Sequence, residues 1–370
     1  MKSAPVRLLA CLAVCSLVVS CGRDPDLVGI DNAETPVAQQ REAVKRKVFI
    51  ATTREASEVT AVFYSRDRAP ELGFASVVVS IPPNHQPGQL ERPKRLPPDP
   101  QSEFAVVEPT VYGTSNAFVA NINRELAKLP PRDRKVLLFV HGYNNTVSDS
   151  ILRMAQFVED TNFTGVPVLF SWASAAKATL YVYDLNSALT ARPRLLETAS
   201  VLSRTNASGF DLFAHSMGSM LTVEAIVQAS IAGKYDAKSR LDNVMLASPD
   251  IDLDLFKSQL EHLAEKDRNF YIFVSKDDKA LGFARRISGG VTRVGAADAQ
   301  TLAPLGVTVI DLSLIEDSTS GTHSKFAGSP EVVQLIGKSL KADHYKEPRN
   351  QSTLIEVLDG VPVLHVLVPD

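Results

Sequence analysis

The run DLFAHSMGSM, residues 211–220, places a serine among small residues where an apolar stretch stops and a helical pattern starts. A strand ending on such a turn holds its serine at a strained apex, and Ala214 and Gly218 let strand and helix approach closely. The pattern is Gly-x-Ser-x-Gly with alanine in first place, which makes Ser216 a candidate nucleophile. A neutral hydroxyl attacks a carbonyl poorly. The chain must therefore also supply a base, a group that orients the base, and donors for an oxyanion.

Seven histidines compete for the base. His215 adjoins Ser216, but at an elbow its side chain points away, so packing beneath the turn is its expected role. His141 belongs to a strand exit, His85 to a proline-rich surface loop, and His262 and His344 to expected helices. His365 sits in an apolar strand pattern near the C-terminus. His323, in DSTSGTHSKF just past the strand GVTVIDLS, remains, because a loop there reaches over the carboxyl edge of a sheet. For the orienting acid, Asp278, Asp277 and Asp250 each stand at a strand end between positions 216 and 323, consistent with Ser–Asp–His order. Asp278 is favoured and the other two stay open. In SPDID, Asp252 also suits the cap of the helix LDLFKSQLEHL. The expected oxyanion donors are the backbone N–H groups of Met217, at a helix start, and Tyr143, after the His-Gly of VLLFVHGYN.

The elements that must position these groups follow from pattern. VLLFVHG, VPVLFSW, GFDLFAHS, LDNVMLASPD, NFYIFVSKDD and GVTVIDLS are apolar runs of strand length, most of them separated by segments of helical spacing. Continuous apolar strands bounded by helices predict an α/β fold, a mostly parallel, doubly wound sheet with helices on both faces. KVFIATTR, FASVVVSIPP and EFAVVEPTVY predict earlier strands, and SNAFVANINRELAKL and PEVVQLIGKSL predict helices. Residues 279–306 read as loop. Residues 171–194 read either as a pocket wall bearing Trp172, Tyr181 and Tyr183 or as packing for the helix before the elbow.

Taken in order, VLLFVHGYN, LFSWAS, FDLFAHSMGS, LASPDID, FVSKDDKAL and DLS…H resemble the α/β-hydrolase superfamily, and most resemble its DUF900 branch of bacterial proteins. The resemblance spans roughly residues 46–345. It implies a triad of Ser216, Asp278 and His323, because the family's acid stands three residues after the serine that ends its strand, here Ser275. SWAS replaces the SWPS usual among relatives, and alanine replaces the first elbow glycine; neither touches a reacting group.

The N-terminus is of another kind. A short basic start precedes LLACLAVCSLVVS, a run of signal-peptide length and too short to span a membrane, followed by Cys21. VVSC resembles a lipoprotein lipobox, which implies diacylation of Cys21 and attachment to a bacterial envelope, on the outer membrane or periplasmic face in a Gram-negative cell. The expected organisation is a signal over 1–21, a flexible tether over 22–45, the hydrolase domain over 46–345 and an extension of unread role over 346–370. All three cysteines lie at or before residue 21, which excludes a disulfide, a cysteine nucleophile or a thiolate metal site in the folded part. A net charge of −3 gives no basic stripe for nucleic acid. The expected function is a lipid-anchored serine esterase acting on small-molecule or lipid esters, with neither metal nor organic cofactor. An acyltransferase on an envelope acceptor and a non-catalytic envelope lipoprotein are the rival expectations.

Overall fold

The computed structural model describes residues 23–235, 241–315, 323–341 and 366–367. Cys21 with the signal sequence, His344, His365 and all but two residues of the C-terminal extension lie outside the described residues.

The strands are β1 (Val44–Ala56), β2 (Tyr64–Ile81), β3 (Ala105–Tyr112), β4 (Lys135–Val140), β5 (Val166–Ser171), β6 (Gly209–His215), β7 (Leu241–Ala247), β8 (Phe270–Val274), β9 (Thr308–Asp311) and β10 (Val366–Leu367). The helices are α1 (Ser115–Ala127), α2 (Val147–Asp160), α3 (Tyr181–Leu202), α4 (Met217–Ile231), α5 (Leu253–Leu260), α6 (Lys279–Ile287), α7 (Ala299–Leu302), α8 (Lys325–Gly328) and α9 (Pro330–Lys341). Among the described residues, ten strands form one sheet in the order β10-β9-β8-β7-β6-β4-β5-β1-β2-β3. Strands from β9 across to β1 pair in parallel, while β1–β2, β2–β3 and β9–β10 pair antiparallel. This is the α/β-hydrolase fold, a mostly parallel sheet with helices on both faces.

The apolar character of the central strands has a direct cause, since both faces are covered. Leu138, Val140, Leu212 and Ala214 join one core with α1, α3 and α4, whereas Leu137, Phe139 and Phe213 join the other with α2 and α9. Successive residues of one strand thus enter opposite cores, the period-2 consequence of a pleated strand. Among the described residues no helix is long and apolar enough to cross a membrane.

Strand order reverses at β4. From it the chain steps outward to β5, then returns to β6 on the other side. At such a switch point the connections leaving neighbouring strands diverge and open a crevice at the carboxyl edge. The exits of β4 and β6 carry His141–Tyr143 and Ser216.

Three expectations differ from the structure. Residues 23–43 do not hang free as a tether. Leu27 and Val28 are fully buried, Val28 bridges Val106, Leu27 N–H donates to Ser148 Oγ (3.1 Å), and Arg23 pairs with Asp149. Two adjacent apolar residues suffice to pin a polar segment whose periodicity shows nothing. Residues 279–306 are not simply loop, since they contain α6 and α7; α6 is short, so its repeat barely completes two turns. β2 begins at Tyr64, ten residues before its apolar run, because that half is a charged ribbon.

Asp211, in β6, is buried beside Asn243, whose amide donates to it. Burial pushes its carboxyl up to about 7. The folded state then keeps a proton that the unfolded chain releases near pH ~4, so stability falls as pH rises from ~4 to ~7. Asp211→Asn should remove that slope, making the variant more stable than the wild type by on the order of 4 kcal/mol at pH 8 and by nearly nothing below pH ~4. Denaturant melts of both proteins across that range would check it.

Candidate active site

Ser216 joins β6 to α4 with φ 55° and ψ −124°, a backbone region costly for any residue but glycine. Neighbouring backbone over-determines it. Ser216 N–H donates to Ala247 O (2.9 Å), and Ser216 O accepts from Ser219 N–H (2.9 Å) and Asp250 N–H (3.2 Å). Gly218 makes the turn possible: a Cβ there would stand 2.4 Å from His141 O and 2.7 Å from Val140 O. Gly142 plays the matching part on β4, where a Cβ would meet His215 Nδ1 at 2.8 Å and Ser216 Cβ at 2.9 Å.

The structure brings Ser216, His323 and Asp278 together. His323 Nε2 lies 3.0 Å from Ser216 Oγ, and His323 Nδ1 lies 2.7 Å from Asp278 Oδ2. Asp278 Oδ1 accepts Leu281 N–H (3.0 Å), so the same carboxylate caps α6. The other two aspartates are engaged elsewhere. Asp277 pairs with Lys325 Nζ at 2.9 and 3.0 Å. Asp250 accepts from Arg293 Nε (2.7 Å) and Tyr181 OH (2.9 Å). Asp252 caps α5 through Asp254 and Leu255 N–H.

Met217 is the first residue of α4, where a helix leaves its N–H groups without intrahelical acceptors and its dipole favours negative charge. Tyr143 follows Gly142 in a loop held from beneath. Asn144 N–H donates to Asp184 Oδ2 (3.2 Å), Asn145 N–H to Ser174 Oγ (3.1 Å), and Asn145 Nδ2 to Tyr143 O (2.8 Å). Arg54, fully enclosed, donates to Asn145 O (2.9 Å), Ser174 O (3.0 Å) and Ser171 Oγ (3.0 Å). Burial lowers the Arg54 pKa to about 10, with Asp184 and Asp149 opposing the shift, so it stays charged at neutral pH.

His215 has the packing role that its place at the elbow suggests, whereas its partners and several other contributors carry no local signal in the sequence. His215 Nε2 donates to His323 O (3.1 Å), and its ring packs 4.7 Å from that of His323 and 4.6 Å from that of Phe326. Burial, followed by the neighbouring His323, holds His215 well below the ordinary range, so it is neutral. Lys325 and Phe326, two and three positions past His323, anchor the loop to Asp277 and to Phe213 (5.2 Å between rings). These contacts span dozens of residues, which no spacing rule reaches.

The remaining histidines have structural posts. His141 lies between the carbonyls of Gly142 (2.8 Å) and Trp172 (3.1 Å); burial pushes it down to about 3, and the neutral ring donates to one of them. His85 lies in the irregular segment between β2 and β3, with its ring fixed between Glu91 and Asp160, each at 2.7 Å. Trp172 is fully buried and stacks on His141, whereas Tyr181 joins Asp250 and Arg293 and meets the Tyr143 ring at 5.4 Å. A cavity of about 800 Å³ lies away from this site, between α3 and α4 and against Leu138 and Leu212. Among the described residues no cluster of three or more His, Cys, Asp or Glu is arranged to hold a metal ion.

Sheet order and elbow together define an α/β hydrolase. The model of the family described as "Alpha/beta hydrolase of unknown function (DUF900)" matches residues 114–339, more than half the chain, and the protein belongs to that family. Among solved structures it is similar to a predicted CIB-like hydrolase from Thermoplasma acidophilum (14% identity, 58% of this chain and 89% of that one, TM-score 0.32). It is also similar to a Rhizomucor miehei esterase (13% identity, 85% of each chain, TM-score 0.36). A third is the Legionella pneumophila phospholipase PlaB in complex with thio-NAD (12% identity, 61% of each chain, TM-score 0.36). No curated protein matches.

Gly218→Ala should destabilise the fold by roughly 1–3 kcal/mol or more, because backbone rather than a movable side chain blocks the new methyl. Gly282→Ala in α6, with nothing within 4 Å of the added Cβ, should be neutral or stabilising. Thermal melts of the two variants distinguish crowding at the elbow from a general intolerance of alanine.

Proposed function

We propose that the protein is a serine hydrolase that cleaves carboxylic esters through an acyl-enzyme. The observation that carries this reading is the pair of hydrogen bonds, 3.0 and 2.7 Å, that links a strained serine through one imidazole to a buried carboxylate.

Ser216 Oγ attacks the ester carbonyl while His323 Nε2 takes its proton. Asp278 accepts the Nδ1–H bond, fixes the tautomer and stabilises the imidazolium. The tetrahedral oxyanion is met by the N–H groups of Met217 and Tyr143. The imidazolium then returns its proton to the departing alkoxide oxygen, leaving Ser216 acylated. Water, losing a proton to His323, attacks the acyl carbonyl, and the imidazolium returns that proton to Ser216 Oγ as the carboxylic acid leaves. The substrate is a small-molecule or lipid ester. The lipobox-like VVSC supports an envelope location with the chain anchored through Cys21.

A fluorophosphonate should label the wild type at Ser216 and leave Ser216→Ala unlabelled; labelling at another residue would move the nucleophile. His323→Ala and Asp278→Asn should each lower ester turnover by ~10³–10⁴-fold with folding intact. Asparagine preserves the α6 cap, so the loss in Asp278→Asn reports on the imidazole. Asp250→Asn should cost far less, and the reverse ranking would reassign the acid. Esters of graded chain length define the acyl preference. For the anchor, Cys21→Ser should shift the protein from membrane to soluble fractions.

A further inference from the structure

The guanidinium of Arg23 sits beside the candidate site. It donates to Asp149 in the first turn of α2, to Ala176 O and to Asn144 O (3.4 Å). Asn144 stands one position past Tyr143 and two past Gly142, where a Cβ would meet Ser216 Cβ at 2.9 Å. Ala176 follows β5 at the same carboxyl edge of the sheet. The residues after Arg23 are fastened too. Arg92, also paired with Asp149, donates to Pro25 O (3.1 Å), Leu27 N–H donates to Ser148 Oγ (3.1 Å), and Val28 N–H donates to Ala61 O (3.1 Å). Two peptide units separate Cys21 from Arg23, a reach of about 7 Å at full extension. A flexible linker of roughly twenty residues would instead average about 25 Å between its ends and could stretch much further.

We propose, resting on the anchor at Cys21 and on the ester-hydrolase reading, that this segment is a short strut. It holds the carboxyl edge bearing Ser216 against the bilayer in which Cys21 is anchored, so that the enzyme takes its ester from the lipids of that bilayer. A lipidated Cys21 lies at the membrane surface, and Arg23 follows within ~7 Å. Asp149, Asn144 and Ala176 hold the Arg23 guanidinium from three sides, which passes the constraint on to the loop bearing Tyr143. Strands β4, β5 and β6 have six, six and seven residues, so the amino edge of the sheet lies about 20 Å from this loop. An ester in the anchoring bilayer thus has a short path to Ser216, whereas an ester free in solution is no nearer for the strut.

In the lipidated chain no thiol stays free, because Cys11 and Cys15 leave with the signal and Cys21 carries the lipid. Lys177→Cys, exposed one position past Ala176, and Arg132→Cys, exposed just ahead of β4 at the amino edge, therefore each take a single fluorophore. The labelled lipoprotein is placed in phosphatidylcholine vesicles that carry nitroxide headgroups. Quenching should be several-fold stronger at 177 than at 132. A Gly-Ser linker of about twenty residues inserted between Gly22 and Arg23 leaves every strut contact in place and should remove that difference. Equal quenching at the two positions, or a difference that survives the linker, would overturn the placement. The same linker should lower turnover of p-nitrophenyl palmitate held in the vesicles by about tenfold and leave that of water-soluble p-nitrophenyl acetate unchanged. A palmitate rate that is absent, unchanged, or lowered no more than the acetate rate would overturn the substrate class. Thiol labelling of the unsubstituted chain, or retention of Cys21→Ser on membranes, sinks the anchor and the strut with it. Turnover of neither ester sinks the hydrolase reading and the substrate class, while quenching still decides the placement.

Discussion

How closely α4 approaches β4 governs the carboxyl edge. Gly218 rests against the carbonyls of Val140 and His141 at distances no side chain allows. That contact lets the chain reverse from β6 into α4 within one residue, and Ser216 carries the conformational cost, on the order of 1–3 kcal/mol. The cost is offset locally by hydrogen bonds between Ser216 backbone and that of Ala247, Ser219 and Asp250, and globally by burial of most of α4. The strained residue is held by two strands and a helix, so it cannot relax without disturbing the centre of the sheet.

Against this fixed serine, His323 arrives from a long connection after β9. Its own backbone does not determine where the ring stands. Contacts to separate elements do: His215 at the end of β6 through the His323 carbonyl, Lys325 through Asp277 and Leu312 O (3.1 Å), and Phe326 through the aromatic cluster of Phe139, Phe157 and Phe213. A neutral His215 suits this task, because a second positive charge 4.7 Å from the His323 ring would oppose protonation of that ring. The loop between β4 and α2 is held on the same logic. Arg54 and Asp184 place opposite charges beneath it, and their hydrogen bonds go mainly to its backbone and to that of residues 171–175. A buried charge left without its partners costs several kcal/mol, so the network rewards one loop shape over others.

Much of this architecture was legible from the chain. The apolar runs of β4 to β9 report a sheet covered on both faces, and the small residues around Ser216 report a close approach of strand and helix. Segments whose stability comes from elsewhere were less legible. Residues 23–43 are polar except for a few anchors, the first half of β2 is a charged ribbon, and α6 is too short for its repeat to stand out from loop.

By itself the sequence determined element type and order, the elbow at Ser216, and a choice of three aspartates for one histidine, because these follow from local sterics and from periodicity. Only the tertiary structure decided which aspartate meets His323, since Asp250 and Asp277 are drawn off by Arg293 and Lys325, partners some forty to fifty positions distant. It also decided that Arg54, Asp184 and Phe326 shape the site, and which groups His215 meets there. The physical reason is the same in each case: a hydrogen bond or ring contact acts over a few ångströms of space, and the fold alone sets which distant residues come that near.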